Sequence, residues 1–125
     1  MKPAKSITPI FIFSILLLII VLSFTCNYAT ADEKEQVIQI TAKRFEYSPN
    51  NITLKKGVPV VLEFTSLDRL HGFYCPGLGI RSDIFPDKKT RLRFTPDKAG
   101  TFPFHCDNFC GSGHEGMTGT ITVTE

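Results

Sequence analysis

No tryptophan occurs in this chain of 125 residues, and no window beyond residue 31 repeats apolar residues at helical spacing. The second absence excludes a helical bundle, because a helix without an apolar stripe has nothing to pack against a neighbour. The first leaves the core to phenylalanine, with Phe64, Phe94, Phe102 and Phe104 as its candidate members. Internal repeats and low-complexity segments are also missing, which excludes a repeat array.

Long apolar runs are scarce. The longest, Ile10 to Phe24, is about fifteen residues, short of the roughly twenty that span a bilayer. Lys2 and Lys5 precede it, and Ala29-Thr30-Ala31 follows with small residues where a signal peptidase inspects them. A basic start, an apolar middle and a small-residue end describe a secretory signal peptide, here with cleavage after Ala31. An uncleaved anchor, giving loose membrane association, is the alternative. Cys26 stands where a lipidated cysteine would stand, but Phe24 and Thr25 are poor substitutes for the small residues such a site takes. The expected organisation is thus a targeting segment over 1–31 and one exported domain over 32–125, on the periplasmic or extracytoplasmic side.

A charge surplus is absent too. Without Lys2 and Lys5, twelve basic residues stand against twelve acidic ones, and the basic stripe of a nucleic-acid binder is not there. Lys55-Lys56 and Lys88-Lys89 read as solvated charges at turns and edges.

What the chain does have is alternation at period two. Val37 to Thr41, Ile52 to Leu54, Val58 to Thr65, Arg91 to Phe94, Thr101 to Cys106 and Gly119 to Thr124 all read as strands, separated by glycine, proline, asparagine and aspartate turns. Seven to eight short strands so punctuated define an all-β sandwich. Asp32 to Gln36 reads as a short leader. Pro76 to Pro86 (PGLGIRSDIFP) is too rich in turn residues for a strand, and Cys110 to Gly116 is a glycine-rich loop. Loops at the end of a rigid sandwich are where ligand groups are expected.

The chemistry gathers in the second of these. Phe104 to Met117 reads FHCDNFCGSGHEGM, which places Cys106, Cys110, His114 and Met117 four, four and three residues apart. In an extended strand Cys106 and Cys110 would lie roughly 13 Å apart at about 3.3 Å per residue. Two sulfurs on one metal are separated by at most about 4.6 Å, twice a metal–sulfur bond of about 2.3 Å. The chain must therefore curl, and Asp107, Asn108, Gly111 and Gly113 are residues that permit it.

Three chemistries compete for this loop. A Cys106–Cys110 disulfide suits a small secreted domain but has no use for the histidine and the methionine. Structural zinc takes thiolates and imidazoles and leaves a thioether idle. Copper selects the soft mixture of thiolate, imidazole and thioether. A mononuclear blue copper site uses one cysteine, so the second one points to two metals.

The segment Cys106-x-x-x-Cys110-x-x-x-His114-x-x-Met117, with Gly111 directly after the second cysteine, resembles the binuclear copper loop, CuA, of cytochrome c oxidase subunit II, and a similar loop occurs in nitrous oxide reductase. Upstream, His71-Gly72-Phe73-Tyr74-Cys75-Pro76-Gly77-Leu78-Gly79 is similar to that subunit's histidine followed by a Pro-x-Leu-Gly turn. The likeness runs from about Ile52 to Val123. It implies a cupredoxin-like Greek-key sandwich, with the Cys106 and Cys110 thiolates bridging two coppers. It also implies His71 and Met117 on one copper, and His114 and the main-chain carbonyl of Asn108 on the other. Single-electron transfer is the implied activity, with no catalysis by the chain alone. The implied partner is a c-type cytochrome or another redox protein.

The chain departs from the family at three points. Two N-terminal membrane helices are replaced by a signal-length run, the tryptophan that receives electrons is absent, and Asn108 stands where the family has glutamate. Each loss removes a contact with a larger oxidase. A copper storage or delivery protein for oxidase assembly is therefore the rival reading, supported by the spare thiol Cys75. Taken singly, Cys75 is expected to be a buried free thiol, His105 to face away from Cys106, and Phe73 and Phe109 to shield the metals from water.

Overall fold

The computed structural model describes residues 35–125, together with the isolated positions 3, 9, 13 and 14. The signal segment, its cleavage after Ala31 and Cys26 lie outside the described residues. Among the described residues, no helix is long and apolar enough to cross a membrane.

Nine strands form the domain: β1 (Gln36–Lys43), β2 (Glu46–Ser48), β3 (Asn51–Lys55), β4 (Val60–Ser66), β5 (His71–Cys75), β6 (Ile80–Ile84), β7 (Thr90–Phe94), β8 (Gly100–His105) and β9 (Thr118–Thr124). They pair in two sheets, β2-β1-β4-β7 and β3-β9-β8-β5-β6. β1 lies parallel to β4, and β3 parallel to β9, while the remaining pairings are antiparallel. The all-β sandwich read from the sequence is the fold, with nine strands in place of seven or eight.

Three of the nine, β2, β5 and β6, are not among the six strands named from the alternation, and β6 lies inside the segment read as a loop. Its five residues alternate, with Ile80 and Ile84 buried and Arg81 outward, but Pro76 to Gly79 and Phe85-Pro86 surround them with turn residues. Pro76–Leu78 forms a single 3₁₀ turn that feeds β6 back along β5.

Alternation aims one face of each strand inward. Ile52 and Leu54 of β3, Leu62 and Phe64 of β4 and Ile121 and Val123 of β9 meet in one core. Its centre is aromatic, with the Phe73 ring 4.8 Å from Phe64 and 4.7 Å from Phe104, and Tyr47 edge-on to Phe104 at 5.1 Å. Phe94 and Phe102 are half-buried at the rim. Burial leaves the Tyr47 hydroxyl in need of a partner, and it donates to the Gly72 carbonyl at 2.6 Å. That bond joins β2 of one sheet to β5 of the other.

β4 is buried on both faces. On its outer side the Glu63 carboxylate is only 4% exposed and accepts from Lys89 Nζ at 2.8 Å and Arg91 Nε at 2.9 Å. Hydrogen bonds from these two cations hold Glu63 below the ordinary carboxylate range. A depressed carboxyl pKa adds stability above the unfolded-state value, and that stability is lost as pH falls through the folded-state value. Glu63→Gln is therefore expected to be less stable than the parent at neutral pH, with the difference shrinking steadily under acid, as read from urea midpoints measured across pH.

Candidate metal centre

Strand register builds the centre. The last pair of the β8–β9 hairpin is His105 with Thr118, so the next residues on either side, Cys106 and Met117, must face each other. The Cys106 N–H donates to the Met117 carbonyl at 3.0 Å and closes the base of the loop. Inside it, turns from His114 N to the Gly111 carbonyl and from Met117 N to the His114 carbonyl, both 3.1 Å, fold the chain back. Gly113 sits at φ +115°, and a Cβ there would press on the Phe45 ring.

The donors converge as a result. The Cys106 and Cys110 sulfurs are 3.9 Å apart, and they and a ring nitrogen of His71 lie within 4.8 Å of one another. That sulfur separation is within the limit of about 4.6 Å for two thiolates on one metal and far beyond the disulfide length of about 2.05 Å. His114 Nδ1 is 3.5 Å and Met117 Sδ 3.9 Å from the Cys110 sulfur, while the Asn108 carbonyl is 3.1 Å from the Cys106 sulfur. All six residues singled out in the sequence, His71, Cys106, Asn108, Cys110, His114 and Met117, thus bring their donor atoms to one end of the sandwich.

His71 opens β5, fully buried. Its Nε2 meets Asp68 Oδ1 at 2.6 Å. Burial works to raise the Asp68 carboxyl, but the N–H groups of Arg44 and Arg69 and the His71 ring outweigh it and hold that carboxyl at about 2. An ionised carboxylate only accepts, so a hydrogen is on Nε2, which leaves Nδ1 as the ring atom able to offer a lone pair to a metal. Among the described residues, no group satisfies that buried Nδ1. A carboxylate behind a histidine whose other nitrogen is unpaired is the usual arrangement of a metal-ligating imidazole. Asp68 escaped the sequence reading; its one signal is its place three residues before His71.

Burial and the neighbouring Cys106 push the Cys110 thiol up to about 11, so a metal taking it as thiolate displaces a proton. The Gly72 N–H donates to the Cys106 sulfur at 3.4 Å, which helps to neutralise charge there. The donor set fits soft metal chemistry. Two thiols, two imidazoles, a thioether and a carbonyl exceed what one tetrahedral ion can use.

Three other expectations resolve as follows. Cys75 is fully buried, its sulfur 4.0 Å from the Phe102 carbonyl and apart from the donor cluster, and burial raises its pKa. His105 is exposed beside the Tyr74 ring, on the opposite side of its strand from Cys106. Phe109 does not form the buried wall expected of it. It is 74% exposed and leans on His114 at 5.7 Å from the solvent side, because the residue between Asn108 and Cys110 faces outward when both neighbours face in.

A two-sheet Greek-key sandwich with soft donors at one end, drawn from one hairpin loop and a distant histidine, defines a cupredoxin. A family model described as a cupredoxin-like domain matches residues 15–123, and the chain belongs to that family. It is 34% identical over 91 residues to cytochrome c oxidase subunit 2 of Thermus thermophilus, covering 73% of this chain and 67% of that protein. It is 29% identical over 103 residues to nitrous-oxide reductase of Pseudomonas fluorescens, covering 79% of this chain and 16% of the relative. The chain spans 54% of a second Thermus thermophilus subunit 2, so it matches only part of several relatives. Among solved structures, the periplasmic domain of subunit II of cytochrome oxidase (CoxB) of Bradyrhizobium japonicum superposes with a TM-score of 0.66 at 22% identity, over 72% of this chain and 84% of that one. The resemblance read from the loop and the fold it implied are thereby shown.

Close approach of two backbones at Gly72 gives a direct check. A Cβ on Gly72 would fall on the Asp107 carboxylate and come within 3.0 Å of Asn108 N. Gly72→Ala is expected to destabilise the metal-free protein by about 1–3 kcal/mol through overpacking, measured by urea unfolding.

Proposed function

We propose that this chain is an exported electron carrier whose centre holds two copper ions in the CuA manner. The Cys106 and Cys110 thiolates, with His71 and Met117 on one side and His114 and the Asn108 carbonyl on the other, would hold them. The observation that carries the reading is the surplus of donors: four soft or neutral groups around two sulfurs 3.9 Å apart, with His71 Nδ1 buried and, among the described residues, unpaired. Kinship with cytochrome c oxidase subunit 2 and nitrous-oxide reductase supports it.

Bound there, a copper pair supplies reversible one-electron chemistry. The protein's part is positioning. Asp68 fixes the His71 ring, the closed hairpin base fixes Cys106 against Met117, and the aromatic core behind β5 and β8 excludes water from the inner side. A frame this restrained keeps ligand positions similar in both oxidation states, which favours fast exchange. Extracytoplasmic placement accords with the signal-like residues 1–31 and with a relative that is a periplasmic domain. A small c-type cytochrome is the fitting class of partner. The delivery reading drew on Cys75 as a spare thiol; sealed in the core against Phe102, that thiol has no surface from which to pass metal.

Copper-loaded protein is expected to contain two coppers per chain, to be purple, and to give an electron paramagnetic resonance signal split by two equivalent nuclei. A blue product with one copper overturns the binuclear assignment, and no uptake after reduction of Cys106 and Cys110 overturns copper altogether. The choice between roles is separable. Rapid electron exchange with a small cytochrome is the expected result, whereas copper transfer to an apo-oxidase fragment without such exchange would establish delivery instead.

A further inference from the structure

The side chain of Asn108 has no place among the donors assigned above, yet it is not idle. Its Nδ2 donates to Asp83 Oδ1 at 2.8 Å and reaches the His71 carbonyl at 3.5 Å. Asp83 is opposite Gly72 in the β5–β6 register, so it projects at the point where the loop crosses the sheet edge. Arg81, two residues before it on the same face, donates from Nη2 to Asp83 at 2.8 Å and grips Asp107 through Nε and Nη2. The guanidinium therefore ties the β6 edge strand to the residue preceding Asn108, while Asp83 ties the same strand to Asn108 itself. Gly72 provides the space these contacts occupy, since any Cβ there would strike Asp107. The charges close on one another: one arginine, two carboxylates, and an amide that uses its donor on one of them.

Resting on the two-copper reading, we infer that Arg81, Asp83 and the Asn108 side chain form a clamp that sets the position of the Asn108 carbonyl over the Cys106 sulfur, making them positioning residues that balance the two metal sites. The carbonyl lies 3.1 Å from that sulfur because both sides of its residue are held. An amide is the fitting side chain for the task. A carboxylate at 108 would face Asp83 with like charge, and an aliphatic residue would have nothing to hold.

The test uses the full chain, metal-free and copper-loaded, as Asn108→Ala, Asp83→Ala, the double variant and Asp83→Asn. Asn108→Ala keeps the main-chain carbonyl and removes only its anchor. Expected results are two coppers per chain in every variant, an altered copper hyperfine pattern and a shifted reduction potential in both alanine variants, and a double variant no further from the parent than either single. Asp83→Asn, which retains an acceptor oxygen for Asn108, is expected to restore much of the parent spectrum. In metal-free protein, both alanine changes are expected to lower hydrogen-exchange protection at Cys106 and His114 alike. Parent-like spectra and potentials in Asn108→Ala, or effects that add in the double variant as independent sites do, would overturn the clamp. A parent protein that binds other than two coppers strikes the functional reading, and the metal-free exchange data then decide the clamp alone.

Discussion

Everything at the active end depends on one main-chain hydrogen bond, from the Cys106 N–H to the Met117 carbonyl. It continues the β8–β9 pairing by one step beyond His105 and Thr118, and in doing so turns a register into a cluster of side chains that could hold metal. Once that step is made, the residues between have two 3₁₀-like turns and a pair of left-handed glycines in which to fold back. Cys110 then has to fall beneath Met117 and His114. The chain uses ordinary sheet energetics to achieve a proximity that flexible side chains alone would gain only at a large entropic cost.

A second restraint works from the opposite layer. Tyr47, on β2, reaches through the aromatic core to the Gly72 carbonyl and fixes the backbone directly after His71. His71 is thus held three ways: by its strand, by the carboxylate behind its ring and by a phenol from the other sheet. On the proposed reading, such rigidity around His71 would be useful because reorganisation of a ligand frame opposes electron exchange.

Much of this was legible beforehand. Period-two alternation located β1, β3, β4, β7, β8 and β9 but not β2 or β5, and it correctly placed His105 and Cys106 on opposite faces. The six donors were legible because their chemistry is rare and their spacing local, with His71 added through its own short motif. What escaped were features made by pairs of residues far apart in the chain. β6 was hidden since its five alternating residues are bracketed by Pro76 to Gly79 and Phe85-Pro86, whose turn chemistry dominates any window. Asp68, Arg81 and Asp83 look like surface charges in sequence, and their importance arises only when strand register sets them beside His71, Asp107 and Asn108. Phe109 misled for the opposite reason: an aromatic flanked by ligands suggests shelter, whereas local alternation turns it to solvent.

The position of β9 carries a consequence for folding. The final strand lies between β3 and β8, parallel to the first and antiparallel to the second, so Asn51 pairs with Thr120 and Gly100 with Val123. Until β9 is in place, the five-stranded sheet lacks an inner member and the hairpin that aligns Cys106 with Met117 has only one arm. Pairings this distant in the chain form late, since loop closure must precede the contacts that reward it. Cys106 and Met117 are consequently aligned only once β9 has paired, so this end of the sandwich takes shape late in folding.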